Sequence, residues 1–224
     1  MHYFALMMPL VGLVIGLLWA LCFALIFKLN FNFVLKGALM EFLAFIITGG
    51  IHMDGLMDTC DAIFSRKDRE TRLQILHDTH TGAFAVMGCV FIILLKSALF
   101  AEIFLNLKIL NFKLMLALIC TPLLARLCMA IYFNSMPYAK QGITTSLGEQ
   151  REFKHTVYLI ILACVIAALN IYFKNYALSL AWLIIFLLWR YACFKIFGGI
   201  AGDLLGAFAE MSETVLIGAI ASCI

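Results

Sequence analysis

Residues 4–27 form a run of 24 positions without a charged side chain, and this run limits what the chain can fold into. About 20 consecutive apolar residues are enough for a helix to cross the hydrocarbon core of a bilayer. The chain as a whole is 65% hydrophobic and only 13% charged, with a mean hydropathy of +1.05, which lies outside the range of soluble globular domains. No small-residue cleavage site follows the run, so we expect it to remain as a membrane helix and not to be removed as a signal peptide.

Hydropathy predicts an all-α, polytopic membrane bundle of about seven transmembrane helices, within a range of six to eight. The predicted spans are 4–27, 33–50, 83–105, 112–133, 155–173, 176–197 and 203–222. No internal repeat, linker or low-complexity segment interrupts them, so we interpret residues 1–224 as a single membrane domain. The eight cysteines include no Cys-x-x-Cys pair and lie mostly in apolar runs, which favours core or lipid-facing thiols over zinc ligands or disulfides.

The charges of the loops predict how the bundle is oriented. Alternate loops fall into two groups, 51–82, 134–154 and 198–202 on one side and 28–32, 106–111 and 174 on the other. With their flanks, the first group holds nine basic residues and the second holds five. Because Lys and Arg are enriched on the cytoplasmic side of membrane proteins, we expect loop 51–82 to face the cytoplasm. The net charge of +3 is small and scattered, and no basic patch interleaved with aromatic residues indicates a nucleic-acid partner.

Five of the six aspartates in the chain are concentrated between Asp54 and Asp78. Asp54, Asp58 and Asp61 are spaced i, i+4 and i+7, so a helix would carry all three carboxylates on one narrow face. Such a stripe of like charges is costly unless a cation neutralises it, and carboxylate oxygens are the ligands that Mg²⁺ or Mn²⁺ prefers. The pattern predicts a metal and phosphate site, and helix caps or a solvated face are the alternative.

The residues that follow predict further parts of this site. Between Ser65 and Leu76, four cations alternate with apolar residues, which is typical of a short amphipathic helix at the membrane surface. These cations are Arg66, Lys67, Arg69 and Arg72. They serve as an interfacial anchor or, for one or two of them, as a clamp on a diphosphate. Asp78 could complete the metal shell, and His77 or His80 could hold substrate or accept a proton near neutral pH.

Polar residues also occur in or beside the later spans. Arg126 lies inside the fourth predicted span, where we expect it to face a polar cavity or a carboxylate partner. Tyr138 and Lys140 belong to a loop that either covers a substrate or only connects two helices.

The last predicted span begins with glycines and acids. Gly199, Gly202 and Gly206 are spaced i, i+3 and i+7, which predicts a smooth helix face of the kind that often means only tight helix packing. The acids that extend the same side are Asp203, Glu210 and Glu213. We expect them to point into a water-filled or metal-bearing cavity, because acids in lipid are otherwise costly.

Carboxylates on two separate membrane helices, with basic residues nearby, indicate metal-dependent transfer of a phosphate-linked group to a hydroxyl. The sequence has no sign of a covalent serine or cysteine nucleophile and no Gly-rich nucleotide loop with a Lys. A cation-coupled transporter is the rival class, since it would also place acids and Gly-rich helices inside a bundle. The acids are predicted to cluster at one face and not at the midplane, which favours the transferase.

Four segments together resemble the cobalamin synthase family, the adenosylcobinamide-GDP ribazoletransferases, in the same order and over nearly the whole chain. The segments are Gly49-Gly50-Ile51-His52-Met53-Asp54-Gly55-Leu56-Met57-Asp58-Thr59-Cys60-Asp61, Asp78-Thr79-His80-Thr81-Gly82, Pro137-Tyr138-Ala139-Lys140 and Gly198-Gly199-Ile200-Ala201-Gly202-Asp203-Leu204-Leu205-Gly206-Ala207-Phe208-Ala209-Glu210. The resemblance implies a Mg²⁺-dependent enzyme of the cell inner membrane that joins adenosylcobinamide-GDP to α-ribazole or its 5′-phosphate. It would form adenosylcobalamin or its phosphate and release GMP. A homo-oligomer, or an association with other corrinoid-pathway enzymes, stays open.

The resemblance also implies roles for individual residues. A ribose hydroxyl of α-ribazole would attack the phosphorus next to the cobinamide while Asp54, Asp58, Asp61 and Asp78 hold metal. These four residues, with His77 and His80, are the predicted catalytic residues. The predicted substrate-binding residues are His52, Gly55, Arg126, Tyr138, Lys140, Gly199, Gly202, Asp203 and Glu210.

The chain departs from the family pattern in a few places. Ala62 stands where a glycine usually follows the third aspartate, and His77 and His80 stand where Lys and Arg are common. The CDP-alcohol phosphotransferases, which transfer lipid headgroups, also begin with Asp-x-x-Asp-Gly, but here Asp54-Gly55 is followed by Leu-Met-Asp-Thr. Lipid headgroup transfer is therefore the runner-up.

Overall fold

A computed structural model describes residues 4–139 and 152–224, and this part of the chain is helical almost throughout. The helices are α1 (Phe4–Lys28), α2 (Phe33–Thr48), α3 (Ile51–Phe64), α4 (Arg69–Ile75), α5 (Ala83–Asn106), α6 (Phe112–Ser135), α7 (Phe153–Tyr172), α8 (Tyr176–Ala192) and α9 (Gly202–Ala221). A π-helical turn, Cys193–Phe197, extends α8. Six of the described helices are long and apolar enough to cross a membrane, namely α1, α5, α6, α7, α8 with its π turn, and α9. The predicted class, a polytopic all-α membrane bundle, is confirmed.

The second predicted span, 33–50, differs from the prediction. Helix α2 is long and apolar enough to cross a membrane only together with α3, and the axes of the two helices are bent by 96° relative to each other. The bend lies at Gly49 and Gly50, whose φ angles of 65° and 74° lie in the left-handed region that favours glycine. Two successive residues of this kind end α2 and turn α3 across the end of the bundle. The short amphipathic helix predicted between Ser65 and Leu76 is confirmed as α4.

Close contacts of small and aromatic residues set the directions of the helices. Gly16 of α1 lies against the backbone of Ile119 and Gly12 lies against Pro122, so α1 and α6 run antiparallel with their backbones close together. The ring of Phe23 in α1 stacks on Phe104 in α5 with a centroid distance of 4.2 Å. Helix α6 is buried along most of its length and forms the centre of the bundle.

One end of the bundle gathers the segments 49–82, 136–139 and 198–203, and we call it the acidic end. Gly55 of α3 lies against the backbone of Asp203 at the start of α9. Tyr138 forms an isolated parallel bridge with Ile200. These contacts bring three loops together that the sequence predicts to share one side of the membrane.

The opposite end holds the remaining described loops. Phe112 packs against Phe173 with ring centroids 5.2 Å apart. The Lys36 ammonium group donates a hydrogen bond to the carbonyl of Phe27 and lies 5.9 Å from the centroid of the Phe104 ring. The predicted grouping of the loops into two sides is therefore confirmed for the described residues.

Candidate active site at the acidic end

Helix α3 carries the predicted aspartates on the face that looks away from its apolar side. Asp54 is exposed, whereas Asp58 and Asp61 are half-buried. The negative charges of four other aspartates repel the carboxylate of Asp58. These are Asp203, Asp54, Asp61 and Asp78. Neither Asp54 nor Asp58 forms a side-chain hydrogen bond or an ion pair with the described residues, so like charges are left close together without a fixed counter-ion.

Two glycines bring α9 against α3. A Cβ atom on Gly55 would lie 2.7 Å from the carbonyl oxygen of Asp203, and one on Gly206 would lie 3.3 Å from the Cα of His52. Because neither glycine has a side chain, the two backbones can approach closely and Asp203 comes beside the α3 aspartates. Asp203 is half-buried there and interacts electrostatically with Asp54 and with His77.

Asp61 has a structural partner that the sequence did not indicate. Its Oδ2 accepts a hydrogen bond of 2.6 Å from the N–H of Gly82, and its Oδ1 accepts one of 2.9 Å from the N–H of Ala85. These groups lie at the N-terminus of α5, whose own N-cap residue, Gly82, has no side chain to offer. Asp61 therefore caps α5 from another helix, and its negative charge suits the positive end of the α5 dipole. A Cβ on Gly82 would lie 2.6 Å from the Asp61 carboxylate, so this close approach requires glycine.

The turn after α4 pairs an aspartate with a histidine. His80 Nδ1 lies 2.6 Å from Asp78 Oδ1, and the backbone N–H of His80 donates to the same oxygen at 3.0 Å. These two hydrogen bonds hold the pKa of the Asp78 carboxyl below its ordinary value. Both side chains are exposed, so the pair is open to a ligand from solution.

The residues predicted to cover a substrate are partly tied into the fold. The N–H of Ala139 donates to the carbonyl of Ile200 at 3.0 Å, and the N–H of Ile200 donates to the carbonyl of Pro137 at 2.8 Å, which places Tyr138 at the acidic end. Gly199 packs against this strand-like contact and lies outside α9, which begins at Gly202. The predicted continuous glycine face over 199–206 is corrected in this respect, because the backbone leaves the helix at Gly198, where φ is 74°. Lys140 lies outside the described residues.

Arg126 and Glu210 are placed in the centre of the bundle, in a cluster that we call the core ion network. The network consists of Glu41 of α2, Lys96 of α5, Arg126 of α6, and Glu210 and Glu213 of α9. Lys96 Nζ lies 2.9 Å from Glu210, 3.4 Å from Glu213 and 3.5 Å from Glu41, and Arg126 Nη1 pairs with Glu213. All five residues are at most 4% exposed.

The core ion network confirms one expectation and corrects another. Arg126 does face a carboxylate partner, as predicted. Glu210 and Glu213 were expected to point into a water-filled or metal-bearing cavity, but they meet two buried cations instead. Among the described residues, Glu210 pairs with Lys96 and Arg126 pairs with Glu213, so neither forms an ion pair with an aspartate of the acidic end. Glu41 and Lys96 are partners that sequence reasoning missed, and their position inside predicted spans was the available signal.

The donor chemistry at the acidic end suits a hard divalent cation. The described residues contain no group of three or more His, Cys, Asp or Glu side chains already arranged around a metal position. Magnesium in phosphoryl-transfer sites is usually held by one or two carboxylates, and water and substrate phosphates fill its other positions. Asp54 and Asp58 lie one turn apart on one helix face and have no side-chain partner within 4–139 and 152–224, so they fit that requirement.

Comparison with known proteins gives one consistent result. A family model described as cobalamin-5-phosphate synthase matches residues 1–221. A protein named adenosylcobinamide-GDP ribazoletransferase from Clostridium botulinum (strain Alaska E43 / Type E3) is 34% identical over 223 residues, with 96% of this chain and 84% of that protein covered. Proteins with the same name from Desulforamulus reducens and Lachnoclostridium phytofermentans are 33% identical over 175 residues (76% of this chain, 67% of that protein) and 30% identical over 228 residues (95% and 81%). No solved structure matches the chain.

Proposed function

The chain belongs to the cobalamin-5-phosphate synthase family, and on this premise we propose that it is an adenosylcobinamide-GDP ribazoletransferase acting in cobalamin biosynthesis. The substrates are adenosylcobinamide-GDP and α-ribazole or its 5′-phosphate. The oxygen of a ribose hydroxyl forms a bond to the phosphorus that carries the cobinamide. The bond from this phosphorus to the bridging oxygen breaks, and GMP leaves with that oxygen.

One observation carries the proposal: Gly55 of α3 contacts Asp203 of α9, so that carboxylates from distant parts of the chain share the acidic end. Uncompensated carboxylates at a bundle end are costly in the free protein, and a ligand that brings cations relieves their repulsion. A nucleotide diphosphate that binds with Mg²⁺ is a ligand of this kind.

The side chains that would hold Mg²⁺ are Asp54 and Asp58, with Asp78 and Asp203 as neighbouring carboxylates. When bound, Mg²⁺ supplies neutralisation of the charge that develops on the phosphate oxygens. Asp61 acts differently in this proposal, because both of its oxygens accept hydrogen bonds from the start of α5. It holds α3 at a fixed position against α5.

The Asp78–His80 pair is the best candidate to accept the proton of the attacking hydroxyl. With Asp78 accepting from Nδ1–H, the Nε2 atom of His80 keeps its lone pair and can accept a proton. Asp78 orients the imidazole ring, as carboxylates commonly do for catalytic histidines.

The decisive experiment measures nucleotide release by the purified protein in detergent or liposomes. We expect GMP to be released from adenosylcobinamide-GDP only when α-ribazole and Mg²⁺ are both present, and chelation of the metal to stop it. Release of CMP from CDP-diacylglycerol with an alcohol, and none of GMP, would favour lipid headgroup transfer. Release of no nucleotide from either pair would contradict both transferases.

The core ion network is the observation that favours the transporter alternative, because it places acids in the middle of the bundle. Each of these acids, however, lies within 3.5 Å of a buried cation on another helix. Charges paired in this way support a structural role more than an ion pathway. The family assignment supports the transferase independently.

We further propose that the acidic end faces the cytoplasm of the inner membrane, on the nine-to-five division of basic residues between the two groups of loops. Lys67 and Lys108 are exposed at the acidic and the opposite end, respectively. With the native exposed cysteines replaced, a membrane-impermeant thiol reagent applied from outside should label Lys108→Cys and spare Lys67→Cys. The reverse labelling pattern would overturn the orientation.

A further inference from the structure

We propose that Arg69 is a phosphate-binding residue of this site, and that it binds the guanosine diphosphate part of the substrate. The inference rests on the proposed function and deepens it, because it assigns the nucleotide phosphates to one side chain. The sequence predicts either a membrane anchor or a phosphate clamp for the four cations before Leu76. It does not distinguish one of these cations from another.

The structure distinguishes Arg69 from the other cations of that stretch. Its guanidinium group lies directly against Gly198, where an added Cβ would overlap three guanidinium atoms. Gly198 also has a φ of 74°, so the backbone here independently favours glycine. A bare backbone position thus accommodates the planar guanidinium group between α4 and the loop that leads into α9.

The local fold holds Arg69 in that place. It is the first residue of α4, and Asp68 caps the helix by accepting hydrogen bonds from the backbone N–H and the hydroxyl of Thr71 at 3.0 and 2.9 Å. Gly198 lies five residues before Asp203, so Arg69 borders the segment that carries a carboxylate to the acidic end.

Two other described cations near this end are already engaged. Arg190 donates to the hydroxyl of Ser135 at 3.1 Å, and Lys195 lies 5.4 Å from the centroid of the Tyr191 ring. Arg69, by contrast, is exposed and makes no ion pair or side-chain hydrogen bond with the described residues. Arg72, a neighbouring arginine in α4, has a buried Nε atom that makes no hydrogen bond within the described part of the chain.

The chemistry of arginine fits the phosphates of the nucleotide. Its planar fork donates two parallel hydrogen bonds to phosphate oxygens, which a lysine cannot do. The acidic end is rich in carboxylates and would repel a diphosphate, so the ligand requires fixed positive charge beside it as well as Mg²⁺. Arg69 is the described cation at this end that combines exposure, a fixed place and the absence of a competing partner.

The test compares Arg69→Ala and Arg69→Lys with Lys67→Ala, a matched control in the same basic stretch whose side chain is exposed. We expect Arg69→Ala to raise the KM for adenosylcobinamide-GDP about tenfold or more and to leave the KM for α-ribazole unchanged, because a charge-assisted contact to the nucleotide is lost. The Kd for GDP with Mg²⁺, measured by calorimetry without turnover, should weaken by a similar factor. The KM and Kd of Arg69→Lys should lie between those of Arg69→Ala and those of the wild type. Lys67→Ala should match the wild type.

The outcomes separate this inference from the proposed function. If Arg69→Ala binds GDP as Lys67→Ala does, or if the KM values of both substrates rise together, the inference is overturned while the transferase stands. If the wild type transfers nothing but binds GDP in an Arg69-dependent way, the proposed transferase is contradicted while the inference about Arg69 stands. Thermal unfolding of each variant controls for misfolding, and if Arg69→Ala does not fold, GDP binding by Arg69→Lys equal to the wild type would overturn the inference.

Discussion

Helix α9 carries acids in two regions that the structure treats in opposite ways. Glu210 and Glu213, in the middle of the helix, are buried and paired with Lys96 and Arg126. Asp203, at the start of the same helix, is half-buried and experiences the negative charges of Asp54 and Asp58, whereas the imidazole of His77 is a favourable neighbour. In the bundle interior, where water cannot stabilise a charge, acids require a fixed counter-ion. At the bundle end they can remain without one, which leaves them available to a cation that arrives with a ligand.

The comparison predicts that the core ion network matters most for stability. Lys96→Met would leave Glu41, Glu210 and Glu213 with Arg126 alone, and we expect a loss of ~3–5 kcal/mol in the free energy of unfolding. The measurement is thermal unfolding in detergent, with the exposed Lys108→Met as control. The double variant Lys96→Met/Glu210→Gln should recover part of the loss, since it removes one unpaired acid. Equal stability of Lys96→Met and Lys108→Met would show that the network is not structural.

The acidic end should show the opposite behaviour. Asp58→Asn removes a charge that four aspartates repel, so stability should stay unchanged or rise slightly. Turnover should nevertheless fall, on the order of 10²–10³-fold, because positioning and electrostatic stabilisation of the transferring phosphate are lost together. Steady-state rates and unfolding midpoints check both halves, with the exposed Glu70→Gln as control. Activity above about a tenth of wild type would contradict the catalytic role.

Asp61 belongs to the acidic end but has fixed hydrogen-bond partners, as the acids of the core ion network have. Asp61→Ala removes both acceptors from the start of α5, which should cost about 0.5–2 kcal/mol of stability. Asp61→Asn keeps one oxygen acceptor and should retain most of the stability, and we expect its turnover to stay within about tenfold of wild type. If Asp61→Asn loses as much activity as Asp58→Asn, then Asp61 holds metal as well as capping α5.

The smallest predicted effect concerns Asp78. His80 holds the pKa of Asp78 below its ordinary value, so this carboxylate stabilises the fold above its unfolded pKa, and the contribution is lost as the pH falls through the folded value. In His80→Ala the pKa of Asp78 should return toward about 3.9, and the variant should lose less stability on acidification below about pH 4. Carboxyl chemical shifts of labelled aspartate measure the titration. An unchanged pKa in His80→Ala would show that other groups set it.

Local patterns in the sequence predicted much of this architecture. Hydropathy located the long spans, and the alternation of loops placed 51–82, 134–154 and 198–202 together, because a helix that crosses a bilayer must exit on the other side. The spacing of Asp54 and Asp58 predicted a shared helix face, which depends only on the helical period. The bend after α2 was not predicted, although Gly49 and Gly50 were its local signal.

Partners distant in the sequence were beyond such reasoning. Lys96 and Glu210 are 114 residues apart, and Asp61 and Gly82 are 21 residues apart, so no periodicity connects them. Two aspartates on the same face of α3 have different roles: among the described residues the carboxylate of Asp58 has no hydrogen-bond partner, whereas Asp61 caps a helix. The difference depends on which neighbouring helix begins beside each residue.

The sequence by itself determined that this chain forms a helical membrane bundle with acids at one of its ends, because hydrophobic length and helical period are local properties. Only the tertiary structure decided which charges are neutralised inside the protein and which are left for a ligand. That division depends on close approach between helices at positions such as Gly55, Gly82 and Gly198, where the absence of a side chain lets distant groups meet. Contacts of this kind depend on packing in three dimensions, which residue spacing along the chain does not specify.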